Sequence, residues 1–203
     1  MEAAGTVHVV DDDPAIRESI AMLLEASGIH ARVYDSAAAF LAVAEGLRHG
    51  CVLTDVHMPG MDGLTLQQQL AALDCTLPVI VMTGHGEVPM AVRALKAGAT
   101  DFLEKPFEDE QLLQAVRNAL ELSRRAQAEA AGSADMAARL AALTPREREV
   151  LDRLVAGQAN KTIAFDLGTS PRTVEVQRAR VMEKMGARSL ADLVRMTIGL
   201  DRR

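Results

Sequence analysis

Acidic, hydroxyl and basic side chains stand at the ends of four apolar segments of the sequence. Asp11 and Asp12 follow TVHVV, Asp55 ends CVLTD, Thr83 ends PVIVMT, and Lys105 ends ATDFLEK. Carboxylates brought close together raise one another's pKa unless a cation lies among them. Hard oxygen ligands suit Mg²⁺, which takes one or two carboxylates together with water and substrate phosphate. These residue types predict a cation site, provided that the fold brings the four segment ends together.

The same residues supply the parts that phosphoryl transfer needs. Asp55 can act as the nucleophile that becomes an aspartyl phosphate. Mg²⁺ and Lys105 would neutralise charge on the transferring oxygens, and the Thr83 hydroxyl could donate to one of them. Taken singly, each residue has an ordinary structural explanation, since threonine is common in strands and a lone lysine is usually solvated. The prediction rests on their combination.

Helix capping is the competing explanation for the run HVVDDDPAIRES. Asp13 followed by Pro14 is a good pair for an N-cap and first turn. Capping explains Asp13 well and explains Asp11 and Asp12 poorly. This stretch alone leaves both explanations open for those two aspartates.

Short apolar runs alternate with amphipathic stretches over the first 122 residues. Five such pairs predict an α/β, flavodoxin-like (βα)5 domain with a doubly wound parallel five-stranded sheet. Ligands of such sheets lie beyond the carboxyl ends of the strands, where the strand order reverses, so the four segment ends would meet there. The predicted strands cover 6–10, 31–34, 51–55, 78–83 and 99–105, and the predicted helices cover 14–27, 37–47, 64–73, 88–97 and 108–122.

Composition is that of an ordinary globular protein of 203 residues, with 49% hydrophobic and 25% charged residues. Because aromatic residues make up only 2%, the core must be aliphatic. No apolar run approaches the length of a membrane span, and the N-terminus lacks the features of a signal peptide. We expect a cytoplasmic protein without membrane contact, in which Cys51 and Cys75 are reduced core thiols and not zinc ligands.

The charge is divided unevenly along the chain. Residues 1–123 hold 7 Lys and Arg against 18 Asp and Glu, a net of −11, whereas residues 124–203 hold 15 against 10, a net of +5. This division indicates two modules, of which only the second would favour a polyanion. Residues 123–141 are rich in Ala and charge, which predicts a helical linker with a flexible break at Gly132 and Ser133.

The basic module is predicted to be small and wholly helical. The pattern NKTIAFDLGTSPRTVEVQRARVMEKMG has two short helices joined by a tight turn that contains glycine, which is the helix-turn-helix arrangement. The alternative is a helical domain that does not bind DNA, in which the helices only pack a core and the charged side chains are solvated. The side chains that would meet phosphates are Lys161, Arg172, Arg178 and Lys184.

The first module resembles the receiver domain of two-component response regulators over residues 5–122, through VDDD, TDVHMPGMDG, MTGHG and FLEKPF. The resemblance implies that a histidine kinase phosphorylates Asp55. It implies a Mg²⁺ site formed by Asp11, Asp12, Asp55 and the main-chain carbonyl of His57. Lys105, before a cis Pro106, would contact the phosphoryl group. Of the switch residues, Thr83 would turn toward phosphorylated Asp55 and Phe102 would move inward behind it. His57 occupies a position that tunes phosphate lifetime in the family.

The second module resembles the LuxR-type DNA-binding domain over residues 140–198, through LTPREREVL, NKTIA, SPRTVE and VMEKMGARS. Together the two halves are most similar to the FixJ-like branch of the response regulators. The resemblance makes 171–185 the major-groove helix, with Glu175, Val176 and Ala179 nearest the base edges and the final helix in a dimer contact. Gln177 stands where many relatives have histidine, and Glu175 where many have lysine.

These resemblances imply a regulator of transcription, with a receiver at 1–122, a linker at 123–141 and a LuxR-type domain at 142–203. The phosphorylated chain would form a homodimer through Val92, Lys96 and Asp101, bind double-stranded promoter DNA and contact RNA polymerase. It would be a phosphoacceptor and not an enzyme acting on other substrates. Two alternatives are a Mg²⁺-dependent phosphatase with an aspartate nucleophile and a receiver that sequesters a protein partner.

Overall fold

The computed structural model describes residues 5–84 and 88–198. The chain divides into two compact units, one of residues 1–128 and one of residues 129–203. Each unit has a buried core of its own, formed by separate clusters of apolar side chains. The two units are therefore described separately.

A parallel sheet forms the centre of the first unit. Its strands run in the order β2-β1-β3-β4-β5, and every neighbouring pair is parallel. This order reverses direction beside β1, which is the switch point at which open α/β sheets bind ligands. The flavodoxin-like fold predicted from the sequence is confirmed. The strands are β1 (Val7–Val10), β2 (Ala31–Tyr34), β3 (Cys51–Asp55), β4 (Val79–Thr83) and β5 (Asp101–Glu104).

Helices cover both faces of this sheet, so successive strand residues enter different cores. Val7 and Val9 of β1 belong to one apolar cluster, whereas Val10 belongs to the other. β1, β3 and β4 are buried at every position, as expected for strands covered on both sides. The helices are α1 (Pro14–Ala26), α2 (Ala37–Ala44), α3 (Gly63–Ala72), α4 (Val88–Lys96) and α5 (Asp109–Ala141).

Side-chain caps begin three of these helices. The Asp13 carboxylate accepts from the N–H of Ala15 at 2.8 Å, so Asp13 caps α1 as the sequence predicts. Ser36 caps α2, and Asp62 caps α3 by accepting from the Thr65 N–H at 2.6 Å. These caps fix where each helix leaves the loop that follows a strand.

Helix α5 is a single helix of 33 residues that continues through Gly132 and Ser133, so the expected break is absent. Ion pairs four residues apart stabilise the exposed helix on both sides of these residues, between Glu121 and Arg125 and between Asp135 and Arg139. The last turns of α5 also pack against the core of the second unit, through Met136 and Leu140. This packing holds residues near Gly132 in a helix despite the weak helix propensity of glycine.

After α5, residues 142–198 of the second unit form four further helices. Thr144 begins α6 with a capping box to Glu147, and Ser170 caps α8. Gly168, with φ of +59°, supplies the left-handed turn between α7 and α8 that joins a helix-turn-helix pair. The bounds are α6 (Pro145–Val155), α7 (Asn160–Asp166), α8 (Pro171–Met185) and α9 (Leu190–Ile198), and the core contains Ile163, Ala164, Val174, Val181 and Met185 as expected.

Both cysteines are free thiols, with Cys51 buried in β3 and Cys75 half-buried. Burial raises the pKa of the Cys51 thiol to about 12. Among the helices at 5–84 and 88–198, none is both long enough and apolar enough to cross a membrane.

Candidate phosphoacceptor site

Three of the predicted site residues meet at the carboxyl edge of the sheet. The Lys105 ammonium donates to Asp55 Oδ1 at 2.7 Å and to Asp11 Oδ2 at 2.8 Å. Asp11 and Asp55 are almost fully buried, and Lys105 is only partly exposed. The residues come from the ends of β1, β3 and β5, so the sheet order brings together side chains that are far apart in the sequence.

Main-chain donors orient the two carboxylates. Asp55 Oδ2 accepts from the N–H of His57 at 2.9 Å, and Asp11 Oδ1 accepts from the N–H of Asp13 at 2.9 Å. Each carboxylate therefore uses one oxygen for the loop that follows its own strand and the other for Lys105. The N–H of Lys105 donates to the carbonyl of Thr83 at 2.7 Å, which ties the end of β5 to the end of β4.

Burial and charge act in opposite directions on this cluster. Burial raises the pKa of Asp55, and the hydrogen bond from Lys105 only partly offsets this effect. Burial would lower the pKa of Lys105, but the hydrogen bonds to Asp11 and Asp55 outweigh it, so that pKa is raised. Lys105 is therefore held as a cation beside the carboxylates, where it can balance added negative charge.

Two further predicted residues, on β4 and β5, lie in different environments. Thr83 ends β4 and is buried, with 2% of its surface exposed. Phe102 lies in β5 with 38% of its surface exposed, and its N–H donates to Asp101 Oδ1 at 2.8 Å. The peptide bond between Lys105 and Pro106 is cis, as the resemblance implies.

A Mg²⁺ ion fits the chemistry of Asp11 and Asp55. Their buried carboxylates are hard oxygen donors, and Mg²⁺ commonly takes one or two carboxylates with water and phosphate. Asp12 is exposed. Within 5–84 and 88–198, no group of three or more His, Cys, Asp or Glu residues is arranged to hold a metal. The four-ligand site of Asp11, Asp12, Asp55 and His57 stays a prediction.

The structure adds two residues that the sequence reasoning did not single out. The Arg17 guanidinium donates to the main-chain carbonyl of Asp11 at 2.6 Å and fixes the loop before α1. Gly63 begins α3 so close to β3 that a Cβ atom there would overlap the carbonyl oxygen of Asp55. The pair Asp62-Gly63 shortly after Asp55 is the only sequence signal for this close packing.

In the second unit, α8 presents several of the predicted DNA contacts to solvent. The exposed residues are Arg172, Glu175, Val176 and Ala179, together with Lys161 on α7, and Arg178 is half-buried. Lys184 is also exposed, but its ammonium donates to the Glu147 carboxylate at 2.6 Å and to the Ala142 carbonyl at 3.1 Å. These two bonds favour a structural role for Lys184 within the second unit. Its contact with a DNA phosphate stays a prediction.

The predicted dimer residues lie on one side of the first unit. Val92 and Lys96 are exposed on α4, and Asp101 is half-buried at the start of β5. Leu95 and Phe102 add exposed apolar surface to this α4–β5 face. Dimerisation through Val92, Lys96 and Asp101 stays a prediction.

Comparison with known proteins identifies both units. Residues 7–117 match the model of the response regulator receiver domain, and residues 141–197 match that of the luxR family of bacterial regulatory proteins. The transcriptional regulatory protein FixJ of Azorhizobium caulinodans is 55% identical over 192 residues, covering 95% of this chain and 91% of that protein.

Two solved structures are similar over nearly the whole chain. The response regulator StyR is 41% identical with a TM-score of 0.89, over 96% of this chain and 98% of that one. Full-length FixJ from B. japonicum is 48% identical with a TM-score of 0.60, over 96% of each chain. The chain therefore belongs to the two-component response regulators that join a receiver domain to a LuxR-type DNA-binding domain.

Proposed function

We propose that this response regulator is a switch in which phosphorylation of Asp55 by a histidine kinase promotes dimerisation and binding to promoter DNA. In this proposal the chain is a phosphoacceptor that acts on transcription in the cytoplasm, and not an enzyme with a substrate of its own. The observation that carries the proposal is the contact of Lys105 with both Asp55 and Asp11 at the switch point of the sheet.

The cluster suits phosphoryl transfer to a carboxylate. Asp55 would attack phosphorus, so that an O–P bond forms while the bond from phosphorus to the donor nitrogen or oxygen breaks. Three residues of the site and its surroundings would have separate tasks. Lys105 would neutralise charge on the phosphoryl oxygens, the N–H of His57 would hold the free carboxylate oxygen, and Arg17 would keep Asp11 in place.

Asp11, Asp12, Asp55 and the His57 carbonyl would hold Mg²⁺, which supplies positive charge to the transferring phosphoryl group. Phosphorylation adds negative charge and oxygen acceptors to a site that contains one lysine. The hydroxyl of Thr83 would then turn toward these oxygens. Phe102, which is exposed in this structure, would move into the space that the Thr83 side chain leaves. This rearrangement would bias the α4–β5 face, including Val92, toward a dimer.

A dimer would place two copies of α8 on a two-fold DNA site. Arg172, Lys161 and Arg178 would meet phosphates, and Glu175, Val176 and Ala179 would face base edges. RNA polymerase is the expected partner of the DNA-bound dimer.

The test combines intact mass with light scattering of the full chain in acetyl phosphate and Mg²⁺. We expect one added phosphoryl group and a shift to dimer, both lost in Asp55→Asn. Asp13→Asn is the matched control, because asparagine caps a helix as well as aspartate does. Absence of modification in the wild type would refute the proposal, and continuous phosphate release far beyond one per chain would favour a phosphatase. A phosphorylated dimer whose binding to duplex DNA shows no salt dependence would favour protein sequestration.

A further inference from the structure

The end of helix α8 is held by a residue of helix α5. The Arg139 guanidinium, two residues before the end of α5, donates from Nη1 to the carbonyl oxygen of Met185 at 2.6 Å. Its Nε lies 2.9 Å from Asp135 Oδ2, one turn earlier on the same helix. Asp135 therefore orients Arg139 toward the last residue of α8.

This contact satisfies a helix end that would otherwise leave carbonyl groups without partners. Gly186 caps α8 with φ of +67°, and its N–H donates to carbonyls of Glu183 and Met182 within the last turn. The carbonyl of Met185 is then available to Arg139. A cation at this position is also favoured by the partial negative charge of the helix C-terminus.

The approach of Arg139 to α8 is close. A Cβ atom on residue 186 would overlap Nη1 of Arg139, so the contact requires the glycine for space as well as for its left-handed backbone. The Met185 side chain is fully buried beside this contact.

Lys184 forms further hydrogen bonds at the same helix end. It donates to the Ala142 carbonyl and to Glu147, which lies in the first turn of α6. Two successive residues of α8 are thus bonded to the segment that runs from the end of α5 into α6. The bonds of Lys184 and the contact of Arg139 with Met185 both hold the last turn of α8.

We propose that Arg139, oriented by Asp135, is a positioning residue that sets the angle at which α8 is presented to DNA. The inference rests on the proposed DNA-binding role of α8. Arg139 belongs to the second unit but precedes the segment 141–197 that matches the luxR family, so the position of the recognition helix would depend on a residue outside that segment. Because Glu175, Val176 and Ala179 project from a rigid helix, a tilt at its far end displaces all three from the base edges.

The test compares Arg139→Gln with Arg125→Gln in the full phosphorylated chain. Arg125 is a matched control, because it also lies on α5 and also pairs with an acid four residues earlier, Glu121. The probes are a duplex selected by the wild type from a random-sequence pool and a mixed-sequence duplex of equal length. Below the melting temperature, Arg139→Gln should bind the selected duplex about tenfold more weakly than Arg125→Gln, the scale of one lost charged hydrogen bond.

The salt dependence separates positioning from a direct phosphate contact. A positioning role leaves the slope of log affinity against log salt equal in both variants and leaves binding to the mixed duplex nearly equal. Arg139→Lys, which can still donate to Met185, should recover part of the selectivity. Equal affinity of the two glutamine variants for the selected duplex would overturn the inference. A slope lowered by about one unit in Arg139→Gln would also overturn it.

Amide hydrogen exchange keeps this test separate from the proposed function. Loss of the Arg139 contact should speed exchange at Gly186 and Ala187, whose N–H groups bond within the last turn of α8. If the wild type selects no duplex, the proposed function fails, and the exchange rates alone decide whether Arg139 positions α8. Unchanged exchange in Arg139→Gln would contradict positioning.

Discussion

The Lys105 ammonium lies 2.7 Å from Asp55 Oδ1, although the two residues are separated by 50 positions in the sequence. The same ammonium bonds Asp11, so one cation holds together two buried carboxylates that would otherwise repel each other. The sheet makes this contact possible by ending β1, β3 and β5 at a common edge. Lys105 consequently has both a structural task in the free protein and a predicted chemical one on the phosphoryl group.

Replacement of Lys105 by methionine should slow phosphorylation of Asp55. Methionine keeps much of the side-chain volume but removes the charge that would stabilise the phosphoryl oxygens. We expect uptake from acetyl phosphate, followed by intact mass, to fall about 100-fold, the scale of losing one charged donor. Arg48→Met, which removes an exposed cation from the loop before β3, should leave the rate unchanged. Equal rates in the two variants would show that Lys105 does not contact the reacting group.

Replacement of Gly63 by alanine should distort the phosphoacceptor strand. The added Cβ would overlap the main-chain oxygen of Asp55, and a backbone atom cannot move aside as a flexible side chain can. We expect the receiver unit to lose about 2 kcal/mol of unfolding free energy, typical of overpacking. Denaturant unfolding followed by Tyr34 fluorescence measures this loss, because the chain has one tyrosine and no tryptophan.

The control for that experiment is Gly132→Ala. Gly132 lies within α5, and a Cβ atom there would have no neighbour within 4 Å. Alanine should therefore leave the Tyr34 transition unchanged and stabilise the helix by up to about 1 kcal/mol. An unchanged Tyr34 transition in Gly63→Ala as well would mean that α3 can shift away from β3 without cost.

The fold could be predicted from the sequence because its signals are local and repeated. Apolar runs of strand length, helix caps such as Asp13 and Ser36, and glycines after helices give the element order. The alternation predicts a doubly wound parallel sheet, and the resemblance to receiver domains favours the flavodoxin-like strand order among the orders that such sheets adopt. The continuity of α5 could not be predicted in this way. It depends on Met136 and Leu140, which pack against the apolar core of the second unit, and most residues of that core lie more than ten positions later in the sequence.

Topology made part of the candidate site predictable, whereas contacts that depend on helix packing were not predicted. Asp11, Asp55 and Lys105 end strands, so the topology alone places them together. Lys184 was predicted as a phosphate contact because it is a cation near the end of a basic helix. Its bond to Glu147 depends on how α6 packs against α8. The spacing of residues in the sequence does not predict that packing.

Lys184 and Lys161 should therefore affect DNA binding differently. Lys161→Gln removes an exposed charge on α7 and should lower the salt slope of duplex binding by about one unit. Lys184→Gln should leave that slope unchanged but lower the melting temperature of the second unit, because it leaves the buried Glu147 carboxylate without its cation. Binding across a salt series, with thermal melts by circular dichroism, separates the two effects. A reduced salt slope in Lys184→Gln would instead support the prediction that Lys184 contacts a DNA phosphate.

His8 is a buried imidazole in β1 whose Nδ1 lies 3.1 Å from the hydroxyl of Tyr34. Its ring also packs beside Phe40, with 5.2 Å between the ring centroids. Burial lowers the pKa of His8 to about 4, and the nearby charges of Arg32 and His30 act in the same direction. The neutral ring is therefore strongly favoured in the folded protein.

This shift makes the stability of the receiver unit depend on pH. The unfolded chain binds a proton at His8 near pH 6.5, whereas the folded chain binds it only near pH 4. Between these values the unfolded state holds more protons, so acid destabilises the fold, by about 2 kcal/mol between pH 7 and pH 5. His8→Phe keeps an aromatic ring in the core and should remove this loss, as measured by Tyr34 fluorescence in urea. His30→Gln, a change at an exposed histidine, should keep most of this loss, because burial is the largest cause of the shift. A loss of equal size in wild type and His8→Phe would mean that groups other than His8 cause the acid sensitivity.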